Sequence, residues 1–233
     1  MDIKRITVFA GYFGSGKTNI AINYARFLKV ERKKPRVALA DLDIVNPYFH
    51  SRGAREYLES FDARVICGGV CGLDAPALSG EFNAVFDEPE LYSVIDLGGD
   101  TAGAAAIGRF REKLQSEADK QILFVLNAYR PFTRNLNGMT EVSEALESAA
   151  GFTFTGIVNN SNIGRQTRLS HILESASLIN TFAQERDLPV VFTCANESLL
   201  AGNTEPARRI SCVFPITIHT PALLADMALE LGV

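Results

Sequence analysis

The stretch Gly11-Tyr12-Phe13-Gly14-Ser15-Gly16-Lys17-Thr18 constrains this chain most, because it satisfies G-x-x-x-x-G-K-[ST] at every fixed position. A loop this rich in glycine turns its backbone N–H groups inward around phosphate oxygens, and a helix starting at its end adds the positive pole of its dipole. Such a loop needs a strand before it and a helix after it. Both are legible: Arg5-Ile6-Thr7-Val8-Phe9-Ala10 is a β-rich apolar run, and Ile20, Tyr24 and Phe27/Leu28 recur at helical spacing. Gly11, Gly14, Ser15, Gly16 and Asn19 are therefore candidates for the cradle. Lys17 would bridge the outer phosphates of a nucleoside triphosphate, and the Thr18 hydroxyl would bind Mg²⁺.

The remaining chain alternates in the same way. Apolar strands are expected at 36–40, 63–67, 91–97, 121–126, 152–158 and 189–193, with a last extended piece at 211–218. Helices are expected at 51–60, 104–114, around 141–149, at 167–186 and at 221–231. The longest has Leu169, Ile172, Leu173, Ala176, Ile179 and Ala183 along one face. Asn46-Pro47-Tyr48 signals a turn, and residues 68–89 show no sustained period, which reads as an irregular excursion over the carboxyl edge of the sheet. No repeat or linker-like tract divides the chain. The expectation is one α/β domain over residues 1–233, with a mainly parallel sheet covered by helices on both faces. Ligands of such sheets sit at the carboxyl ends of the strands.

Composition narrows the partners. With 47% hydrophobic and 21% charged residues the chain reads as soluble and globular, and no run is long enough to cross a bilayer. The short apolar stretch behind Lys4 and Arg5 runs straight into the glycine loop, so it reads as a strand and not a signal peptide. A net charge of −4 disfavours a nucleic-acid partner. The four cysteines fit reduced thiols of the cytoplasm. Cys67 and Cys71 invite a metal reading, but C-x₃-C is not the usual zinc spacing, and loop cysteines in a glycine turn are favoured. Cys194 and Cys212 read as core residues of late strands.

A phosphate loop needs a carboxylate for its Mg²⁺ at the end of a neighbouring strand. Asp96 is the best candidate, since it ends an apolar run and opens Asp-x-x-Gly, where the Gly99 amide can contact a γ-phosphate. Asp41 and Asp43, two apart at the end of another strand, would point to one side if the segment stays extended. One of them can enter the Mg²⁺ shell, assigned to Asp43, while either positions the attacking water. Arg109, Arg111, Arg130, Arg134, Arg165 and Arg168 are all available as phosphate-binding cations, and the sequence does not choose among them.

These segments, together with Gly156-Ile157-Val158-Asn159-Asn160 on a late strand, occur in an order that resembles the MinD/ParA/CobQ-CobB group of P-loop ATPases over most of the chain. The resemblance implies a P-loop NTPase that hydrolyses ATP with Mg²⁺, with the Asp41-to-Asp43 and Asp96-to-Gly99 segments as switches. It also implies that Asn160, or else Asn159, contacts the adenine and that the loop near Cys194-Ala195-Asn196 packs on it. A cytoplasmic homodimer serving a protein partner would be the usual setting. The chain departs from MinD and ParA at Tyr12, where those proteins carry a second lysine that crosses a dimer. The segment 221–233 carries no lysine or arginine, so membrane targeting through a basic terminal helix is not expected. The loop also looks like that of nickel metallochaperone GTPases, which read guanine through an Asn/Thr-Lys-x-Asp segment that this chain lacks. Alternatives to a nucleotide switch are an ATP-dependent ligase or kinase similar to dethiobiotin synthetase or CobB-type amidases, and a metallocentre accessory ATPase using Cys67 and Cys71. DNA segregation is disfavoured by Tyr12 and the acidic balance.

Overall fold

The computed structural model describes residues 1–43, 52–67, 80–201, 210 and 212–219, with the backbone alone for 52–54. Eight strands among these residues form one sheet: β1 (Ile6–Ala10), β2 (Arg36–Leu42), β3 (Ala63–Cys67), β4 (Leu91–Leu97), β5 (Lys120–Leu126), β6 (Gly156–Asn159), β7 (Val190–Asn196) and β8 (Val213–Ile216). Their order is β3-β2-β4-β1-β5-β6-β7-β8, and every pairing is parallel. The helices are α1 (Lys17–Arg26), α2 (Arg52–Glu59), α3 (Ala84–Asp87), α4 (Thr101–Ile107), α5 (Arg111–Ser116), α6 (Leu136–Ala150), α7 (Leu169–Glu185) and α8 (Glu197–Ala201).

A parallel sheet must be covered on both faces, and the period-two alternation of its strands divides the apolar side chains accordingly. Val8, Ala40, Ile95, Phe124 and Ile157 meet Ala104, Ile107, Met139 and Leu146 on one face. Phe9, Leu39, Val94, Val125 and Val158 meet Ile20 and Tyr24 of α1 and Leu28 just after it on the other, with Leu58 of α2. Asp41 and Asp96 follow the odd and even sequence of this second face, so both belong to the side that carries α1, and they stand in register on neighbouring strands. The strand order reverses around β1, which opens the crevice where ligands of such sheets bind.

Several boundaries differ from expectation for local reasons. The strand expected at 36–40 runs through Asp41 to Leu42. The helix expected at 104–114 is two helices, separated by a tight turn at Gly108–Phe110, and it starts earlier because the Asp100 carboxylate caps it by accepting from the Gly103 amide. Phe152 and Phe154 are buried but lie outside the strand, after a left-handed Gly151 that ends α6. The buried stripe of α7 is Leu169, Ile172, Ser175, Ile179, Phe182 and Ala183, leaving Leu173 and Ala176 at its margin. Helix α8 was not anticipated. The expected turn at 46–48, Cys71, most of the excursion after 68 and the helix at 221–231 lie outside the described residues.

One contact ties the far edge of the sheet to the loop's helix. Asn19 and Asn23 of α1 both donate to the Thr217 carbonyl, at 3.0 and 2.9 Å, while their own amide oxygens accept from the His219 and Thr217 backbones at 2.8 and 2.9 Å. Two side chains thereby imitate a strand edge for the segment leaving β8.

Candidate functional site

Residues 11–18 leave β1 and enter α1 as a loop with Gly14 and Gly16 in left-handed conformations, at φ 70° and 90°. Gly16 is required twice over. A Cβ there would be strained by its φ and would lie 2.3 Å from Nδ2 of Asn160. That Asn160 nitrogen donates to the Ser15 carbonyl at 2.7 Å, so the end of β6 holds the loop from beneath. Asn160 sits in a knot of short polar links: Asn127 donates to the Asn162 carbonyl at 3.0 Å, and the Asn162 side chain donates back to the Asn160 carbonyl at 2.8 Å.

Thr18 and Asp96 meet directly, with Thr18 Oγ1 donating to Asp96 Oδ2 at 2.6 Å. Asp96 is 1% exposed, and its second oxygen, Oδ1, has no hydrogen-bond partner among the described residues. Burial drives this carboxyl up to about 6, although nearby Lys17 and the Thr18 bond pull it down. Lys17 is also buried, and desolvation lowers its ammonium below the ordinary lysine value against the pull of Asp96, Asp43 and Asp100. Its Nζ points back to the Tyr12 carbonyl at 3.4 Å. A buried carboxylate with an unsatisfied oxygen, beside a threonine hydroxyl, is a hard oxygen donor set that fits Mg²⁺, whose remaining ligands are ordinarily water and phosphate. No cluster of three or more His, Cys, Asp or Glu side chains suited to a metal occurs among the described residues.

The two acidic residues after β2 separate. Asp43 is half-buried and lines the cavity beside the loop. The Asp41 carboxylate accepts from the Asp43 backbone N–H at 2.8 Å, so it shapes the turn that presents Asp43. Gly99 lies against the loop's crest: a Cβ there would fall 2.7 Å from the Phe13 ring and 2.9 Å from its amide nitrogen. Phe13 in turn sits edge-on to Tyr12, whose ring is 4.6 Å from that of the exposed Phe132.

The cavity beside the loop measures about 650 Å³ and is lined by Gly14, Gly16, Lys17, Thr18, Asn19, Asp43 and Asn160, and farther out by Ile172, Cys194, Ala195, Leu199 and Ile216. It is polar at the β1 end and mixed toward β7, where Arg165, Thr167, Asn196 and Ser198 stand among the apolar side chains. A smaller cavity of about 250 Å³ at the amino edge of β2 and β3 is lined by charged side chains, but Lys29 pairs there with Asp62, and Arg36 and Arg64 pair with Glu88.

Many solved structures share this architecture, and three of them illustrate it. The chain resembles FlhF complexed with GTP/Mg(2+) at 18% identity and a TM-score of 0.53, over 81% of this chain and 64% of that one. The cell division protein FtsY of Thermotoga maritima matches at 21% identity and a TM-score of 0.58, over 82% and 61%. Chloroplast FtsY of Physcomitrella patens matches at 16% and 0.54, over 83% and 59%. The fold is that of a P-loop NTPase. The chain therefore spans roughly three fifths of the length of these neighbours. No family model matches the sequence, and neither does any curated protein.

Of the residues expected from the sequence, the P-loop NTPase fold gathers Gly14, Gly16, Lys17, Thr18, Asp43, Asn160 and Ala195 around one cavity, with Asp96 beneath Thr18. Asn19 lines it too, but its side chain is occupied by Thr217 and His219. Cys194 is buried with its thiol pushed up by desolvation, whereas Cys212 is exposed in a turn at φ 49° and is not a core residue. Cys67 is half-buried near Arg55, which donates to its sulfur at 3.5 Å. Among the described residues no helix is long and apolar enough to cross a membrane. Sequence reasoning missed the Asn127–Asn162 knot and the Phe13–Gly99 contact. The run Asn159-Asn160-Ser161-Asn162 was the available signal for the first, since short polar side chains at a strand end bond local backbone.

Proposed function

We propose that this chain is a Mg²⁺-dependent nucleoside triphosphatase, with ATP as its nucleotide, that works as a switch for a protein partner. The observation that carries the reading is the Thr18–Asp96 pair under the glycine loop, with Asp96 Oδ1 buried and unpaired among the described residues. When bound by Thr18 and Asp96, Mg²⁺ would neutralise charge on the outer phosphates, with Asp43 at the edge of its shell. Lys17 would turn from the Tyr12 carbonyl to the phosphates, and the loop amides would hold their oxygens. Asp43, or Asp41 behind it, would orient the attacking water. A γ-phosphate would compete with Gly99 for the space against Phe13, which links nucleotide state to the segment leading into α4.

ATP is favoured by the missing guanine-reading segment. Asn160 gives one of its two amide N–H groups to Ser15 and keeps Oδ1, an acceptor that can take the exocyclic amine of adenine. The following residues, Ser161, Asn162 and Ile163, supply no Lys-x-Asp for guanine. GTP is the second reading, favoured by the FlhF structure that holds GTP/Mg(2+). A cytoplasmic homodimer is part of the proposal. Tyr12 packs against Phe13 and Phe132, so any dimer would not rest on a cation at that position.

Titration of the protein with Mg-ATP and Mg-GTP, followed by molar mass with and without nucleotide, tests this. ATP should bind more tightly than GTP, and Lys17→Ala should abolish binding. Failure to bind either nucleotide would refute the proposal, and tighter GTP binding would replace ATP.

A further inference from the structure

Six arginines were open as phosphate-binding cations, and the structure separates them. Arg109, Arg111, Arg134, Arg165 and Arg168 are exposed, Arg165 lining the cavity beyond β6, whereas Arg130 is half-buried and lines it beside the phosphate loop. Arg130 reaches across 116 residues of sequence to donate from Nε to the Gly14 carbonyl at 2.9 Å, at the tip of the phosphate loop. Its backbone is fixed where it leaves β5. Its N–H donates to the Asn127 carbonyl at 3.1 Å, its carbonyl accepts from Thr133 at 3.0 Å, and Pro131 starts the turn that follows. Asn127 is itself locked to Asn162, so the arginine projects from a rigid base. Among the described residues it forms no ion pair, although it lines the same cavity as Lys17, Thr18 and Asp43. A guanidinium has five N–H donors, and the Gly14 carbonyl takes only the one on Nε.

We infer that Arg130 binds the inner phosphates of the nucleotide, in cis, through the guanidinium edge that Gly14 leaves open. This rests on the nucleoside-triphosphate reading above. The strand order assigns the phosphates. Asp96, Gly99 and Asp43 stand at the carboxyl ends of β4 and β2 on one side of β1 and mark the outer, metal-bearing end. Asn160 and Ala195 stand at the carboxyl ends of β6 and β7 on the other side and mark the base. Arg130 follows β5, between the two. It therefore holds the part of the nucleotide that ATP and ADP share, and keeps the diphosphate in place after the terminal phosphate has gone.

The test compares Arg130→Met, which keeps the apolar stem without the charge, with Arg130→Lys, which keeps the charge without the planar fork. Dissociation constants for Mg-ATP and ADP are measured at several salt concentrations, with urea unfolding of each variant as a check on the fold. Losing a charge-assisted contact should weaken both nucleotides about 10- to 100-fold in Arg130→Met and flatten the salt dependence. Arg130→Lys should recover several-fold of that loss and retain the salt dependence of the wild type. Unchanged affinity in Arg130→Met overturns the inference. So does equal weakening in both variants with the salt dependence of the wild type, which would leave Arg130 a brace of the loop. If Arg130→Met does not fold, Arg130→Gln, which also removes the charge, takes its place in the same comparison with Arg130→Lys and is read by the same criteria. Wild-type protein that binds neither nucleotide overturns the arginine and the underlying reading together, whereas wild-type binding with an unaffected Met variant overturns the arginine only.

Discussion

Asp96→Asn separates the structural cost of the metal ligand from its use. In the folded chain the Asp96 carboxyl is raised from 3.8 to about 6, chiefly by burial. As pH rises through this window the unfolded chain loses its proton first, so the native state binds more protons and stability falls with pH. Once both forms are ionised, the charged carboxylate holds the unliganded fold about 3 kcal/mol below what an ordinary carboxyl would allow. Asparagine keeps the shape and an acceptor for Thr18 but cannot ionise. Above pH 7 the variant should therefore be more stable than the wild type by up to about 3 kcal/mol, or about 6–12 °C in Tm for a chain of this size. Near pH 4 the two should converge. Added Mg-ATP should reverse the order, because only the wild type presents the Asp96 carboxylate to the metal. The assay is urea unfolding between pH 4 and 8, with and without Mg-nucleotide, and the difference between the two proteins removes the titration of every other group. Parallel loss of stability in both proteins from pH 4 to 7, or an Asp96→Asn variant that is less stable at pH 7.5, would refute the reasoning.

Other substitutions probe other parts of the site. Asp43→Ala should leave nucleotide affinity within a few-fold and slow hydrolysis roughly 10²- to 10⁴-fold, measured by phosphate release; a normal rate would remove Asp43 from that role. Gly99→Ala drives a methyl group into Phe13 and should destabilise the unliganded protein by about 1–3 kcal/mol in urea unfolding. It should also reduce discrimination between ATP and ADP, as read by titration calorimetry. Gln121→Met strips two buried partners from a core network, since Gln121 donates to Thr7 and to the Tyr24 hydroxyl at 3.0 Å each. A loss of about 1–3 kcal/mol with unchanged nucleotide affinity is expected, because the network lies away from the cavity.

The strands were legible because a parallel sheet buried on both faces writes itself as continuous apolar runs, and Ala63–Cys67 and Leu91–Leu97 have the expected bounds. The phosphate loop was legible because its chemistry sits in eight consecutive residues. What joins residues distant in sequence was not. Nothing near Arg130 marks it apart from Arg134, since the difference is a carbonyl contributed by Gly14 after the fold has formed. Asn19 looked like a nucleotide ligand by its place after Thr18, yet its side chain is spent on backbone groups about two hundred positions on. Helix ends moved wherever a side chain outside the apolar period capped them, as Asp100 does for α4.

The asparagine clamp on the exit from β8 bears on how occupancy of the site could be observed from a distance. Edge strands ordinarily fray first, and their amides exchange with solvent at rates set by local opening. Here the Thr217 and His219 amides are held by α1, the helix whose first residues are Lys17 and Thr18. Their exchange therefore reports their contact with α1 as well as the sheet they adjoin, which makes two protons at this end of the described sheet a distant probe of the helix that begins at the loop.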